Sequence, residues 1–138
     1  MAKTIVDAGP LIALFRSADE NHDWAVEVFG SLPSPFYTTE PVITEACYFL
    51  ITAGMPARPL LERIRSGILR IPFQLTSEIG AVAGLMDKFG SRMDLADATL
   101  VRLSELLDDC RVLTTDYKDF SVYRRHGRQV VPMLAPPE

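Results

Sequence analysis

The chain has 138 residues, of which 48% are hydrophobic and 23% charged, and its formal net charge is −4. This length and composition are those of one globular domain that can bury a single core. The negative balance excludes a protein that holds nucleic acid through a broad basic surface, but it allows a local basic rim around an acidic centre.

Apolar periodicity and turn residues predict strands that alternate with helices. From the N-terminus we expect a strand at 3–6 that ends at Asp7 and the turn-forming pair Gly9-Pro10, a helical turn at 11–15, a helix at 22–30 and a strand at 36–38. Then follow helices at 41–53 and 56–67, a strand at 69–71, helices at 76–89 and 94–107, and strands at 111–115 and 129–133. This alternation favours a parallel α/β sheet.

Small and polar residues mark the ends of several predicted helices. Thr39 is expected to cap the helix at 41–53, and Gly54 and Gly90 follow two helices as C-terminal residues. The helix at 94–107 is expected to bury an apolar face of five residues, Leu95, Ala98, Val101, Leu103 and Leu106. We predict one domain over residues 1–134 and a flexible tail at 135–138.

No stretch of the sequence indicates a membrane-spanning or secreted protein. Apolar runs fall short of the roughly 20 residues of a spanning helix, and the N-terminus lacks a basic segment followed by a long apolar one. Cys47 and Cys110 are predicted to be buried thiols rather than a disulfide. Together these features predict a cytoplasmic location.

Four acidic residues stand where a carboxylate is unexpected. Asp7 and Asp116 follow predicted strands, and Glu45 and Asp97 interrupt the apolar patterns of predicted helices. Carboxylates beside apolar stretches are costly unless they are paired or bind a metal, and no equal set of Lys or Arg lies at matching places. Ligands of parallel sheets bind beyond the carboxyl ends of the strands, where Asp7 and Asp116 are expected. We therefore predict that the four acids form a site for a divalent cation.

Each acid also has a purely structural alternative. Asp7 taken alone is equally well explained as a turn residue, and Asp116 as the cap of the turn that follows it. Glu45 is otherwise a position on a solvated helix face. Asp94 lies three residues before Asp97 on the same helix face and suits the positive end of the helix dipole. Asp97 is the stronger ligand candidate of the two because small residues flank it.

A site made only of carboxylates favours some metal ions over others. At about 5 Å and an effective dielectric constant near 20, each pair of carboxylates repels by roughly 3 kcal/mol. Mg²⁺ and Mn²⁺ remove this repulsion and prefer oxygen ligands, whereas the lack of a His or Cys set argues against zinc. His22 and His126 are expected at the surface. A cation held by carboxylates activates water and neutralises charge on a phosphodiester, which indicates a metal-dependent hydrolase.

The segments that carry the four acids resemble the four motifs of PIN-domain nucleases, and of the VapC-like toxins in particular. They are VDAGPLIAL, TEACYFL, DLADATLVRLSE and VLTTDYKDF, in the order and spacing of that family across nearly the whole chain. The resemblance implies a three-layer α/β/α sandwich with a central, mostly parallel sheet. It also implies that Asp7, Glu45, Asp97 and Asp116 bind Mg²⁺ or Mn²⁺ and cleave single-stranded or loop RNA, leaving a 5′-phosphate and a 3′-hydroxyl.

The sequence departs from this pattern at Gly9, where many PIN domains carry Ser or Thr. A hydroxyl that orients metal-bound water is missing there, and Thr115 beside Asp116 is a candidate substitute. Asp119 either assists Asp116 or caps the next turn, and we favour the cap.

The resemblance also implies binding partners. Arg92 and Lys118 lie near motif residues and are the best candidates for contacts with RNA phosphates. Tyr117 and Tyr123 are expected in the core or at the rim rather than stacked on bases. In the family, helices equivalent to 51–70 often form a homodimer and a groove for an antitoxin whose Arg reaches the carboxylates, with ordinary core packing as the alternative. We therefore expect an RNA substrate, a homodimer and an antitoxin protein.

Two other functional classes stay open. A non-catalytic PIN-like module that binds RNA or acts as a scaffold has the same fold, although all four acids are present here. A phosphatase of another α/β class needs a second acid two residues after its nucleophile, where this chain has Gly9. The leading hypothesis is therefore a Mg²⁺- or Mn²⁺-dependent endoribonuclease, the toxin of a toxin–antitoxin pair.

Overall fold

Seven short strands are present in the computed structural model, which describes residues 2–138. They are β1 (Lys3–Val6), β2 (Phe36–Tyr37), β3 (Leu69–Arg70), β4 (Cys110–Leu113), β5 (Arg124–Arg125), β6 (Gln129–Val130) and β7 (Met133–Leu134). Five of them form a parallel sheet in the order β3-β2-β1-β4-β7, and β5 and β6 form a separate antiparallel hairpin. The predicted mostly parallel sheet is confirmed.

Seven α-helices flank the sheet in this part of the chain. They are α1 (Ala8–Phe15), α2 (His22–Ser31), α3 (Glu40–Thr52), α4 (Arg58–Arg65), α5 (Leu75–Phe89), α6 (Leu95–Leu106) and α7 (Tyr117–Val122), with a 3₁₀ turn at Gly90–Arg92. Helix α1 packs against α2, α3 and α4, while α6 packs against α5, β1 and β4. The result is the predicted three-layer α/β/α sandwich. No helix within residues 2–138 has the length and apolar character needed to cross a membrane.

The strand order creates a switch point between β1 and β4. From β1 the chain moves through β2 to β3 at one edge, and it then crosses back to place β4 on the other side of β1. Ligands of open parallel sheets bind at such a point, beyond the carboxyl ends of the strands. Val6 pairs with Leu113 in the register of β1 and β4, so Asp7 and Thr114 leave the sheet side by side.

The core explains why these segments became central strands. Ile5 and Val6 of β1 and Val112 and Leu113 of β4 have no exposed surface. Continuous apolar runs of this kind are typical of parallel strands covered on both faces. Cys110 is buried and Cys47 is half-buried, and both are free thiols as predicted.

The first helix begins earlier than the sequence predicted. Gly9 and Pro10 do not form a turn but lie in the first turn of α1, which starts at Ala8. Proline is tolerated there because the first N–H groups of a helix have no partner within the helix. Asp7 is the N-cap residue, and its Oδ1 accepts a hydrogen bond from the Ala8 N–H at 2.7 Å.

The predicted strand at 129–133 is two strands in different sheets. β6 pairs with β5 across a turn in which His126 and Gly127 have φ angles of 50° and 81°. β7 joins the main sheet beside β4. Pro132 separates them, since it has no N–H for a ladder, although its carbonyl accepts the Val112 N–H at 2.8 Å.

The predicted apolar face of α6 is partly wrong. Ala98, Val101 and Leu103 are fully buried, but Leu95 and Leu106 are 40% and 42% exposed. At 3.6 residues per turn these two leucines lie roughly 120–140° around the helix from Val101. The buried face instead continues through other residues, including Leu100.

Thr39 occupies the N-cap position of α3, but its side chain does not cap the helix. Its hydroxyl lies 2.7 Å from the hydroxyl of Thr99 in α6, and Thr99 donates to the Ala96 carbonyl at 2.7 Å. Because Thr99 has one proton, Thr39 is the donor between the two hydroxyls. Both threonines are fully buried. The pair therefore joins α3, which carries Glu45, to α6, which carries Asp97.

Replacement of Thr99 by valine should destabilise the protein by about 1–3 kcal/mol, because the buried Thr39 hydroxyl loses its acceptor. Thr39→Val combined with Thr99→Val should cost clearly less than the sum of the two single changes, since neither hydroxyl is then left unpaired. Urea unfolding of the three variants measures both effects. Strictly additive losses of free energy would show that the two hydroxyls do not interact.

Candidate active site

The structure brings the four predicted acids together with Asp94 at the switch point. Burial raises the pKa of Asp7 and Asp97, and partial shielding from water raises that of Glu45, which remains exposed at the surface; neighbouring carboxylates raise the pKa further in each case. For Glu45 the neighbours are Asp7 and Asp94, and for Asp97 they are Asp94 and Asp7. The pKa of Asp116 is also raised, first by burial. These mutual effects identify one acidic cluster drawn from β1, α3, α6 and the loop after β4.

Asp7 is the most firmly held member of the cluster. Its side chain is only 8% exposed. Oδ1 accepts the Ala8 N–H, and Oδ2 accepts the Thr114 hydroxyl at 2.7 Å. Burial raises the pKa of Asp7 to about 6, against the lowering effect of these two hydrogen bonds. The carboxylate is therefore fixed in orientation but costly to ionise without a cation nearby.

Thr114 connects the two acids that follow strands. Its buried hydroxyl donates to Asp7 Oδ2 and accepts the Asp116 N–H at 2.9 Å. The sequence pattern had indicated the next residue, Thr115, and not Thr114. The available signal was register, because Thr114 follows β4 directly opposite the residue that follows β1.

Tyr123 holds Asp97. Its hydroxyl lies 2.7 Å from Asp97 Oδ2 and 2.8 Å from the Arg92 carbonyl oxygen. The ring is fully buried and makes edge contacts with Phe89 and Phe120, at centroid distances of 5.4 and 5.1 Å. The expected core position of Tyr123 is thus correct, but the sequence did not indicate its bond to Asp97. Ionised Asp97 accepts the only phenolic proton, and this bond opposes the burial that raises the pKa of Asp97 to about 7.

The structure confirms the capping alternative for Asp116 and contradicts the one for Asp119. Asp116 is the N-cap of α7, and its Oδ1 accepts the Asp119 N–H at 3.1 Å. Asp119 lies inside the first turn of α7, so the favoured cap role for it is wrong. The segment after Asp116 is a helix rather than an isolated turn, and Asp116 itself supplies the cap. The Asp119 carboxylate instead forms an ion pair with Arg92 at 2.9 Å.

A polar cleft of about 700 Å³ opens beside Asp116. Arg92, Lys118 and Asp119 line it together with Asp116. Both basic side chains therefore lie next to the acidic cluster, although Arg92 is already paired with Asp119. Their predicted contact with phosphates stays a prediction.

A second, wider groove of about 1100 Å³ lies at Glu45 and Asp94. Glu45 is exposed on α3, as the structural alternative of a solvated helix face predicted. Its exposure also leaves the carboxylate accessible to a ligand. Asp94 is the N-cap of α6 and accepts the Asp97 N–H at 2.8 Å, where it also faces the positive end of the helix. Tyr48 and Phe73 are the aromatic residues of the groove.

The donor atoms of the cluster suit a hard cation, but the carboxylates do not converge on one position. Ion pairs within residues 2–138 involve other acids, and none of them neutralises Asp7, Glu45, Asp97 or Asp116. The donors are carboxylate oxygens, which Mg²⁺ and Mn²⁺ prefer. No three His, Cys, Asp or Glu side chains of these residues converge closely enough to hold an ion as they stand. The assignment of the four acids as metal ligands therefore stays a prediction.

Several other polar residues have structural partners. His22 Nδ1 lies 2.7 Å from the Ala13 carbonyl, and His126 is exposed in the β5–β6 hairpin. Arg124 donates to the carbonyls of Ser121, Val122 and Tyr123, which directly precede it. Arg125 donates to the Ser104 carbonyl at 2.8 Å. The side chains of His22, Arg124 and Arg125 are therefore engaged in contacts within the fold.

The stability of the metal-free protein should fall as pH rises from 4.5 to 8. The pKa of Asp7 in the folded protein is about 6, above its ordinary 3.8, so folding favours the protonated form. The stabilisation is complete below the ordinary pKa and is lost as pH rises through 6; it totals about 3 kcal/mol, of which about 2 kcal/mol is lost between pH 4.5 and 8. Asp97, with a pKa of about 7, acts in the same direction. Urea unfolding in chelator across this range measures the change.

Asp7→Asn should flatten this pH dependence, because the amide does not titrate. Asp87→Asn is the matched control, since Asp87 is an exposed residue of α5. A wild-type stability that rises steadily from pH 4.5 to 8 would contradict the assignment.

Tyr123→Phe should raise the pKa of Asp97 further, because it removes the donor that stabilises the carboxylate. It should also reduce the free energy of unfolding by about 1 kcal/mol. Carboxyl-carbon NMR titration of the metal-free variant measures the pKa directly. Tyr117→Phe, at an exposed tyrosine, should leave it unchanged. An unaltered Asp97 pKa in Tyr123→Phe would mean that the phenol does not donate to Asp97 in solution.

Comparison with known proteins gives a structural match only. No protein-family model matches the chain, and no curated protein matches its sequence. The solved structure of VapC20 from Mycobacterium tuberculosis, described as a sarcin–ricin loop cleaving toxin, is similar with a TM-score of 0.62. The two chains are 23% identical, and the match covers 73% of this chain and 80% of VapC20. The parallel sheet, its flanking helices and this match together show that the chain has a VapC-like PIN-domain fold.

Proposed function

We propose that the protein is a Mg²⁺- or Mn²⁺-dependent endoribonuclease of the toxin type. The observation that carries the proposal is the cluster of Asp7, Glu45, Asp97 and Asp116 at the switch point of a VapC-like PIN fold. Asp116 raises the pKa of Asp7, and Asp7 raises the pKa of Glu45 and Asp97. None of the four has a cationic side chain as an ion-pair partner within residues 2–138. The fold shared with VapC20, which cleaves the sarcin–ricin loop, supports a nuclease with an RNA substrate.

The roles of the four acids follow from how each is held. Asp7 accepts hydrogen bonds from the Thr114 hydroxyl and the Ala8 N–H, Asp97 from the Tyr123 hydroxyl, and Asp116 from the Asp119 N–H. Carboxylates held in a defined orientation suit the role of metal ligands. Bound Mg²⁺ or Mn²⁺ would supply activation of water and neutralisation of charge on the phosphodiester.

Glu45 differs from the other three acids because it is exposed at the mouth of the wide groove and bonded to no protein donor within residues 2–138. Its raised pKa makes it a better base than an ordinary carboxylate. We assign it to a second cation or to the orientation of the attacking water.

The two clefts beside the cluster support a single-stranded or looped substrate. Arg92 and Lys118 offer positive charge to phosphates on the side of Asp116. Tyr48, which is 73% exposed, offers aromatic surface on the side of Glu45, which suits unstacked bases. A duplex keeps its bases stacked and does not present them to such a groove.

Exposed apolar residues support protein partners. Phe49 and Ile51 of α3 and Leu61 of α4 are 46%, 62% and 46% exposed. Exposed apolar patches are typical of interaction sites. We assign this surface to a homodimer and an antitoxin, as the resemblance of the motifs implies. Two free thiols support a reducing cytoplasm as the location.

The test is cleavage of a mixed set of labelled RNAs by the purified protein with Mn²⁺, Mg²⁺ or chelator. Cleavage should require metal, and Asp97→Asn should lower the rate by about 100-fold or more, as expected for loss of a charged group at the reaction centre. Analysis of the product ends should find a 5′-phosphate and a 3′-hydroxyl. Asp87→Asn, purified in parallel, should cleave at the wild-type rate.

Three results separate the alternatives. Equal cleavage by Asp97→Asn would identify a contaminating nuclease. Stabilisation by Mn²⁺ in a thermal shift without cleavage of any RNA would indicate a metal-binding protein with a narrow substrate. Absence of both would favour a non-catalytic RNA-binding or scaffold module.

A further inference from the structure

Gly9 and Thr115 compete for one space beside the acidic cluster. Gly9 lies in the first turn of α1, two residues after Asp7, and Thr115 directly precedes Asp116. A Cβ atom built on Gly9 would overlap the Thr115 hydroxyl oxygen and would lie 3.1 Å from the Thr115 Cβ. The φ angle of Gly9 is not positive, so the backbone does not require glycine here. Glycine is required because a side chain at this position would overlap the Thr115 hydroxyl.

The Thr115 hydroxyl has no hydrogen-bond partner within residues 2–138, in contrast to other threonines near the site. Thr38 donates to the Val6 carbonyl, Thr39 to Thr99, and Thr114 to Asp7. Thr115 is half-buried, and its hydroxyl oxygen retains some accessible surface. An unpaired hydroxyl therefore lies against Gly9 in the first turn of α1, on the residue that precedes Asp116.

We propose that Thr115 is a positioning residue whose hydroxyl orients water at the acidic cluster. Thr115, which follows β4, supplies a hydroxyl that could otherwise come from a side chain at position 9 in α1. Gly9 has no side chain and so leaves room for the Thr115 hydroxyl. Thr114, which is bonded to Asp7 and to the Asp116 N–H, fixes the backbone on which Thr115 stands. This assignment rests on the proposed function and concerns the rate of the same reaction.

The first experiment separates the hydroxyl from the methyl group. Thr115→Val retains the shape of threonine without the hydroxyl, and Thr115→Ser retains the hydroxyl. Thr115→Val should keep the wild-type Tm and lower kcat about tenfold without a change in KM, whereas Thr115→Ser should remain close to wild type. Thr52→Val, at an exposed threonine of α3, is the matched control and should not affect kcat.

The second experiment moves the hydroxyl. Gly9→Ser alone should lower Tm, because its Cβ overlaps the Thr115 hydroxyl. Gly9→Ser combined with Thr115→Ala should recover kcat and most of the lost Tm, because the overlapping hydroxyl is removed and a hydroxyl is restored, although the Cβ atom of position 115 remains 3.1 Å away. A double variant that is stable but as slow as Thr115→Val would show that a hydroxyl in this space has no role in the rate.

A readout that does not depend on cleavage is the rise in Tm on addition of Mn²⁺. It should be smaller in Thr115→Val than in the wild type and Thr115→Ser, because one oxygen that holds bound water is lost. If the wild type cleaves RNA and Thr115→Val cleaves it equally well, the role of Thr115 is refuted and the proposed function stands. If the wild type shows neither cleavage nor stabilisation by Mn²⁺, both are refuted.

Discussion

The hydrogen bond from Thr114 to Asp7 is the interaction on which the site depends. It forms because β1 and β4 pair in register, so that the residues following the two strands leave the sheet side by side. The same Thr114 hydroxyl accepts the Asp116 N–H, which sets the start of α7. One buried side chain thus fixes two acids that are 109 residues apart in the sequence.

Neutral donors orient the acidic cluster. The hydroxyls of Thr114 and Tyr123 and the N–H groups of Ala8 and Asp97 hold the carboxylates without cancelling their charge. The nearby guanidinium of Arg92 is bound to Asp119 rather than to Asp7, Asp97 or Asp116. The electrostatic attraction for a cation is therefore preserved, while burial makes the uncompensated charges unfavourable. An arginine in the same place would have given stability and removed that attraction.

The sequence predicted the sheet, most helices and the cluster of acids, because each depends on local pattern. The apolar pairs Ile5-Val6 and Val112-Leu113 mark β1 and β4, and carboxylates shortly after such pairs are conspicuous. Thr114 and Tyr123 were missed since their roles depend on strand register and on packing between α6 and the loop after α7. The cap role of Asp119 was wrong for a related reason, because Asp116 had already supplied the cap that begins α7.

The overlap between Gly9 and the Thr115 hydroxyl also constrains how this protein can change over evolutionary time. A side chain at position 9 is tolerated only after position 115 has become smaller, while loss of the Thr115 hydroxyl leaves the site without one until position 9 changes. The order of substitutions therefore matters, and the intermediate sequences are either less stable or slower. A hydroxyl at position 115 with Gly9, and a hydroxyl at position 9 with a smaller residue 115, are thus two arrangements whose single-step intermediates are less fit. A change from one to the other therefore favours near-simultaneous substitution of both positions over independent steps.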